Sequence, residues 1–157
     1  MAVNAYLVID GMPGPSKSKT NAIDILSFSF GASLHITSKE MSSTRGGRGE
    51  VTNLTVMKML DKTSPELFQH CVTGDFIKKV ELFYDKAVGD KQEDYYKVTL
   101  DHVYVTSLQH SGSSENPTES ISFAFRKIEV SYNPEGADGK LQGFVQKGFD
   151  TEKLASF

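Results

Sequence analysis

The residue types in this chain most readily assigned chemistry are Glu66 and His70, four apart, and Asp101-His102 with Ser111 and Ser113 downstream. A Glu and a His at i, i+4 share one helix face and would offer two ligands to a metal ion. A third ligand and the two-histidine zincin pattern are both missing, so the pair reads as solvated helix surface and no metal site is expected. Asp, His and Ser are the groups of a hydrolase triad. No Gly-x-Ser-x-Gly elbow occurs, however, and Asp101 and His102, as strand neighbours, point to opposite faces. They are expected to be structural.

Gly11 to Ser18 is rich in Gly, Pro and Ser but lacks Gly-x-x-x-x-Gly-Lys-Ser/Thr, the spacing that lets backbone N–H groups cradle phosphate. Arg45-Gly-Gly-Arg48 offers two arginines, a weak nucleic-acid handle that reads better as a flexible contact loop. Cys71 falls on an apolar stripe and reads as a small buried hydrophobe. Asn53-Leu54-Thr55 is a formal glycosylation sequon within a strand pattern. No catalytic residue and no cofactor follow from any of these. The row Ser27, Ser29, Ser33 stands out instead, because small hydroxyls on one strand face make a polar surface of little bulk.

The elements that must carry this row are bounded by composition. At 157 residues and 38% hydrophobic, the chain is long and apolar enough for one folded domain, spanning 1–157. Lys and Arg number 17 against 20 Asp and Glu, a formal charge of −3, so no general basic field argues for nucleic-acid binding. A single cysteine excludes an intramolecular disulfide framework and a multi-cysteine zinc site. Met1 to Asp10 has no basic segment followed by a long apolar run, so no cleaved leader is expected and synthesis is expected in the cytosol. No window approaches the ~20 apolar residues that span a bilayer, so no membrane insertion is expected.

Strand patterns dominate. Ala5 to Asp10 is a short apolar run, followed by a Gly/Pro loop to Thr20. Leu26, Phe28, Phe30, Ala32, Leu34 and Ile36 alternate with Ser27, Ser29, Gly31, Ser33, His35 and Thr37, which predicts a long strand or hairpin arm with one wet face. Ile23 and Ile25 lie in the opposite phase, predicting a bend near Ile25–Leu26. Ser38 to Glu50 is a long polar loop, of a length that in compact domains is functional or disordered. Strand character returns over Val51–Leu60, Phe76–Tyr84, Tyr95–Gln109 and Ser120–Tyr132, the last with a phase slip at Arg126-Lys127 that predicts a bulge. Lys86–Asp94 and Ser111–Thr118 read as hairpin links, and Leu141–Phe149 as a terminal strand.

One helix is marked, about 64–73. Ser64 is placed to cap it, Pro65 fits the first helical position, Glu66 suits the positive end of the dipole, and Gly74 closes it. Leu67, Phe68, Cys71 and Val72 make its apolar face. These elements together predict a mainly β fold, a β-barrel of two packed sheets with one flanking helix.

The order of motifs resembles the haemolysin-coregulated protein (Hcp) family of the bacterial type VI secretion system. The residues that carry the resemblance are the opening Met-Ala-Val-x-Ala-Tyr-Leu-x-Ile-x-Gly, Gly14-x-Ser16-Lys17, and Ile23-Asp24-Ile25-Leu26-Ser27-Phe28-Ser29-Phe30-Gly31. Lys58-x-x-Asp61-Lys62-x-Ser64-Pro65-x-Leu67, the run Tyr95 to Ser107, and Thr118-Glu119-x-Ile121-Ser122-Phe123-x-Phe125 leading to Tyr132 follow in order.

That resemblance implies a phage tail-tube-like subunit that forms homohexameric rings. The rings would stack into a tube inside sheath proteins, with a spike protein at the tip and effector proteins in the lumen, and the tube would be expelled from the cell. It implies a structural subunit, with no enzyme activity expected; no extension long enough for a toxin domain follows Phe157, so the extended, effector-bearing form of the family is not expected. Ser29 matches a position the family places on the inner wall, so Ser29 first, then Ser27 and Ser33, are expected to meet cargo. Met41, Ser42, Ser43, Thr44, Arg45, Gly46, Gly47 and Arg48, within the long loop, are expected to reach a neighbouring subunit or ring. The contrasting readings are a monomeric β-barrel that binds a small ligand or carbohydrate among its Tyr and Phe residues, and a hydrolase, which the missing elbow disfavours.

Overall fold

A computed structural model describes residues 4–44, 46–113 and 115–157. Its framework is an antiparallel meander of long strands, β7 (Ile77–Val88), β8 (Lys91–Ser111) and β9 (Thr118–Tyr132). β1 (Asn4–Ile9) pairs with β7, and β2 (Ile23–Asp24) with β1. On the other side β9 carries β6 (Leu54–Met59), which in turn carries β3 (Ser27–Ser29), and also β10 (Val145–Asp150) with β11 (Ala155–Ser156) beyond it. β4 (Ala32–Ser33) and β5 (Glu50–Val51) form a separate two-stranded sheet. Helix α1 (Ser64–Thr73) lies against β8.

The core follows from period-two patterning within strand segments, broken in β8 between Leu100 and Val103. Leu54 and Val56 of β6, Ile121 and Phe123 of β9, and Val98, Leu100, Val103 and Val105 of β8 point inward with Leu7, Ile23, Val80 and Leu82. The layers are packed sheets rather than a closed barrel. At the predicted bend the chain exchanges neighbours: Ile25 N–H donates to the Ala5 carbonyl of β1 (3.2 Å), and the next residue, Leu26, donates to Met57 of β6 (2.7 Å).

A similar exchange accounts for the second phase slip. Residues 118–123 of β9 pair with β6, whereas 127–132 pair with β10. The bulge expected at Arg126-Lys127 is therefore not a register shift, because the pairing with β8 stays in step from Leu100↔Ile128 to Val103↔Phe125. Register shifts fall instead between Tyr84 and Asp85 and between Val105 and Ser107.

Four further expectations are corrected. The long strand over Leu26–Thr37 is reduced to β3 and β4, because β6 supplies a partner for only three of its residues. Phe28 and Phe30 still pack on the core, but Leu26 and Leu34 are 60% and 51% exposed. The Lys86–Asp94 link shrinks to a tight turn at Gly89-Asp90, with Gly89 at φ 62°, where a side chain would be strained. In the helix, Thr63 occupies the N-cap without a side-chain bond and Ser64 is already helical. Its apolar stripe is half used: Leu67 is buried and Cys71 half-buried, while Phe68 and Val72 face solvent. Gly74 closes the helix at φ 77°, as expected.

Candidate functional site

Pairing register assembles the hydroxyl face from four strands. Ser29 of β3 lies opposite Thr55 of β6, Thr55 opposite Ser122 of β9, and Ser122 opposite Ser107 of β8. The next row runs Ser27, Met57, Ser120, Gln109. Neither row contains a charged side chain. The residues between them, Phe28, Val56, Ile121 and Leu108, turn to the opposite side and pack in or against the core. Thus one set of strands buries its aliphatic face and presents small hydroxyls on the other.

The face is held by its own bonds. Thr55 Oγ1 and Ser122 Oγ are 3.0 Å apart, Thr106 Oγ1 donates to the Ser122 carbonyl at 3.2 Å, and Asn53 Nδ2 donates to Thr106 Oγ1 at 3.2 Å. Ser27 and Ser29 are exposed. Ser33, the third residue expected here, sits apart in the small β4–β5 sheet opposite Glu50. Thr55, Ser107, Ser120 and Ser122 join this face only through strand pairing. The signal was present as a second alternation, Ser-Ile-Ser-Phe over 120–123, beside Thr55-Val56-Met57.

The long loop leaves and rejoins the body through β4 and β5, where Ala32 pairs with Val51. Met41 and Ser42 lie in a 3-10 turn, Glu40–Ser42; Met41 is 73% exposed. Ser43, Thr44, Gly47 and Arg48 are exposed and Gly46 is half-buried, while Arg45 lies outside the described residues. Among the described residues, bonds within the loop help brace it: Gly47 N–H donates to Glu40 Oε2 at 2.9 Å and Ser42 Oγ to the Lys39 carbonyl at 2.9 Å. Between this arm and the C-terminal strands is an open cleft of about 840 Å³, lined by Gly46, Gly47, Arg48, Val51, Phe149 and Leu154 among others.

The other chemistry-bearing residues are placed as follows. His70 Nδ1 lies 2.9 Å from the Glu66 carbonyl, within its own helix. His102 stacks on Phe76 with ring centroids 4.7 Å apart, and its Nε2 is 3.3 Å from Tyr104 Oη. Among the described residues no three His, Cys, Asp or Glu side chains converge as a metal site. Among the described residues two carboxyls are perturbed. Burial, and secondarily Asp94, push Asp85 up; the backbone N–H groups of Lys153 and Glu152, each 3.0 Å from Asp150 Oδ1, hold Asp150 down.

The comparisons with known proteins agree with this architecture. A family model described as "Type VI secretion system effector, Hcp" matches residues 6–132. Protein hcp1 of Pseudomonas aeruginosa is 33% identical over 147 residues, covering 91% of each chain. Among solved structures, one described as that of a type six secretion system protein superimposes with a TM-score of 0.85 at 27% identity, over 99% of this chain and 100% of that one. Hcp1 from Salmonella typhimurium gives 0.79 at 26% identity over 100% of both.

Proposed function

This chain belongs to the Hcp family of the type VI secretion system, and from that premise we propose that it is a tube subunit whose copies close into hexameric rings. The rings stack into a tube with the face of Ser27, Ser29, Thr55 and Ser122 toward the bore. The observation that carries this reading is the uncharged double row across β3, β6, β9 and β8. A wall of small hydroxyls offers hydrogen bonds to a passing protein without the adhesion of a large apolar patch or a strong local field.

Ring closure needs a heterologous contact, one patch against a different patch, with a rotation that returns to the start. The self-braced arm over residues 38–50 and the unfilled cleft behind it suit such a contact, the arm of one copy reaching the body of the next or of the adjoining ring. Sheath proteins would surround the tube, a spike would cap it, and effectors would travel inside. The family is a structural one in secretion, and bond-making chemistry falls to other components. The subunit leaves the cell as part of the expelled tube.

A ligand-binding barrel would need its aromatic residues to line a vacancy. Here they pack on each other: Phe28 meets Tyr84 at 5.3 Å and Tyr96 at 5.9 Å between centroids, and Tyr95 meets Tyr132 at 6.0 Å. Mass photometry and negative-stain images at micromolar concentration test the proposal. Six-membered rings with an open bore are expected. A monomer at every workable concentration overturns it.

A further inference from the structure

Three adjacent strands lose their alternation along one line. Buried residues are three apart in β7 (Ile77, Val80) and in β8 (Leu100, Val103), and in β9 the buried positions Phe123 and Ile128 fall out of phase. The residues between them are Lys78-Lys79, Asp101-His102 and Arg126-Lys127, and pairing places Lys79 opposite Asp101 and Asp101 opposite Lys127. The inward face changes sides along this line, so polar groups from all three strands collect at one corner of the sheet. His102 accommodates the change at φ 53°, a left-handed conformation rare for a residue with a side chain.

At this corner is a cavity of about 290 Å³ lined by Phe76, Lys78, Asp101, His102, Arg126 and Lys127. Three cations and one carboxylate line it, with the Asp150 and Glu152 carboxylates behind Arg126 and Lys127, so Lys78 is the cation of the three that no described carboxylate outside the lining approaches as an ion pair or cross-strand neighbour. Arg126 is partly engaged, its Nε 2.8 Å from Glu152 Oε2 and 3.7 Å from Asp150 Oδ1. That nitrogen is buried, and neither contact is directed well enough to be a hydrogen bond. Among the described residues, Lys78 and Lys127 have no ion-pair partner, although Lys127 is the cross-strand neighbour of both Asp101 and Asp150, its charge helps hold the Asp150 carboxyl down, and it overlies the Phe157 ring at 5.8 Å. The volume suits one small group rather than an extended ligand.

We propose that this corner is an oxyanion site, in which Lys78, Lys127 and Arg126 hold a single phosphate or carboxylate group. Charge-assisted bonds from two ammonium groups and a guanidinium would close around the ligand, with the stacked rings of Phe76 and His102 as one wall. The site is separate from the hydroxyl face and does not depend on the tube reading. Two sources present the required chemistry: dissolved phosphate, and an Asp or Glu side chain of a second copy of this chain.

The test compares wild type with the Lys78→Gln/Lys127→Gln double variant, two substitutions at solvent-exposed or half-buried positions. Inorganic phosphate is titrated by calorimetry at ionic strength held constant with sodium chloride, and assembly is followed by sedimentation in phosphate-free buffer. Saturable phosphate binding that weakens roughly tenfold per lysine removed, with assembly unchanged, assigns the site to a free anion. Assembly that weakens in the double variant, and in wild type when phosphate is added, assigns it to a neighbour's carboxylate. Phosphate that acts no more strongly than chloride, or equally on both proteins, with assembly unaltered, overturns the proposal.

Discussion

Lys58 Nζ lies 2.7 Å from Glu119 Oε1, and both side chains are fully buried. The two are cross-strand partners of β6 and β9. Lys58 also reaches Asp61 Oδ1 at 3.1 Å and Ser64 Oγ at 3.2 Å, Ser64 Oγ donates to Glu119 at 3.1 Å, and His110 Nε2 bonds the other Glu119 oxygen. Because Asp61 and Ser64 sit at the start of α1, the cluster ties the helix to the sheet. Every member has a partner, which offsets the cost of taking the charges out of water.

Removing one partner should therefore be far worse than removing both. Lys58→Met leaves the Glu119 carboxylate buried without its main cation and is expected to cost about 3–5 kcal/mol. Lys58→Met combined with Glu119→Leu should recover much of that loss. Urea unfolding of both variants measures it, and a single-variant loss under about 1 kcal/mol would mean that water reaches the site.

Ser29→Gln enlarges an exposed side chain on the hydroxyl face without touching the Phe28 side. Ring formation is expected to persist, while co-purification of an effector held in the bore falls. If rings fail instead, Ser29 belongs to a subunit interface.

Shortening Ser42–Gly49 removes the tip of an arm that is braced in part by its own bonds, such as Gly47 N–H to Glu40. Sedimentation should show weaker ring or stack assembly, with the melting temperature changed by only a few degrees. Comparable losses in both would make the loop a support for the fold.

Asp85 and Asp150 should respond to pH with opposite signs. Asp85 is raised above its unfolded value of about 3.9, so the folded state binds that proton more tightly and loses stability as pH rises through this window. Asp85→Asn keeps an acceptor for Gln92 Nε2, now at 3.2 Å, and should raise the melting temperature at pH 7. That gain should vanish below about pH 3.9, where both side chains are neutral. Asp150 is lowered, so its contribution is present above about pH 3.9 and is lost as pH falls through its folded value. Asp150→Ala should accordingly cost more at pH 7 than in strong acid, as read by thermal melts.

Alternation within single strands was enough to separate Ser27 and Ser29 from Phe28 and Phe30, and the Pro65 and Gly74 marks were enough to place the helix, because periodicity and capping are local properties of the chain. The ordered run of motifs was enough to point to the family. Local pattern could not say which rows would lie side by side, since register between strands far apart in sequence is set by long-range pairing. That pairing joined Ser29 to Thr55 and Ser122, left Ser33 on a separate sheet, and brought Lys58 and Glu119 together in the interior. It also decided how much of the Leu26–Ile36 stripe is covered, because an apolar face is buried only where another element arrives to cover it.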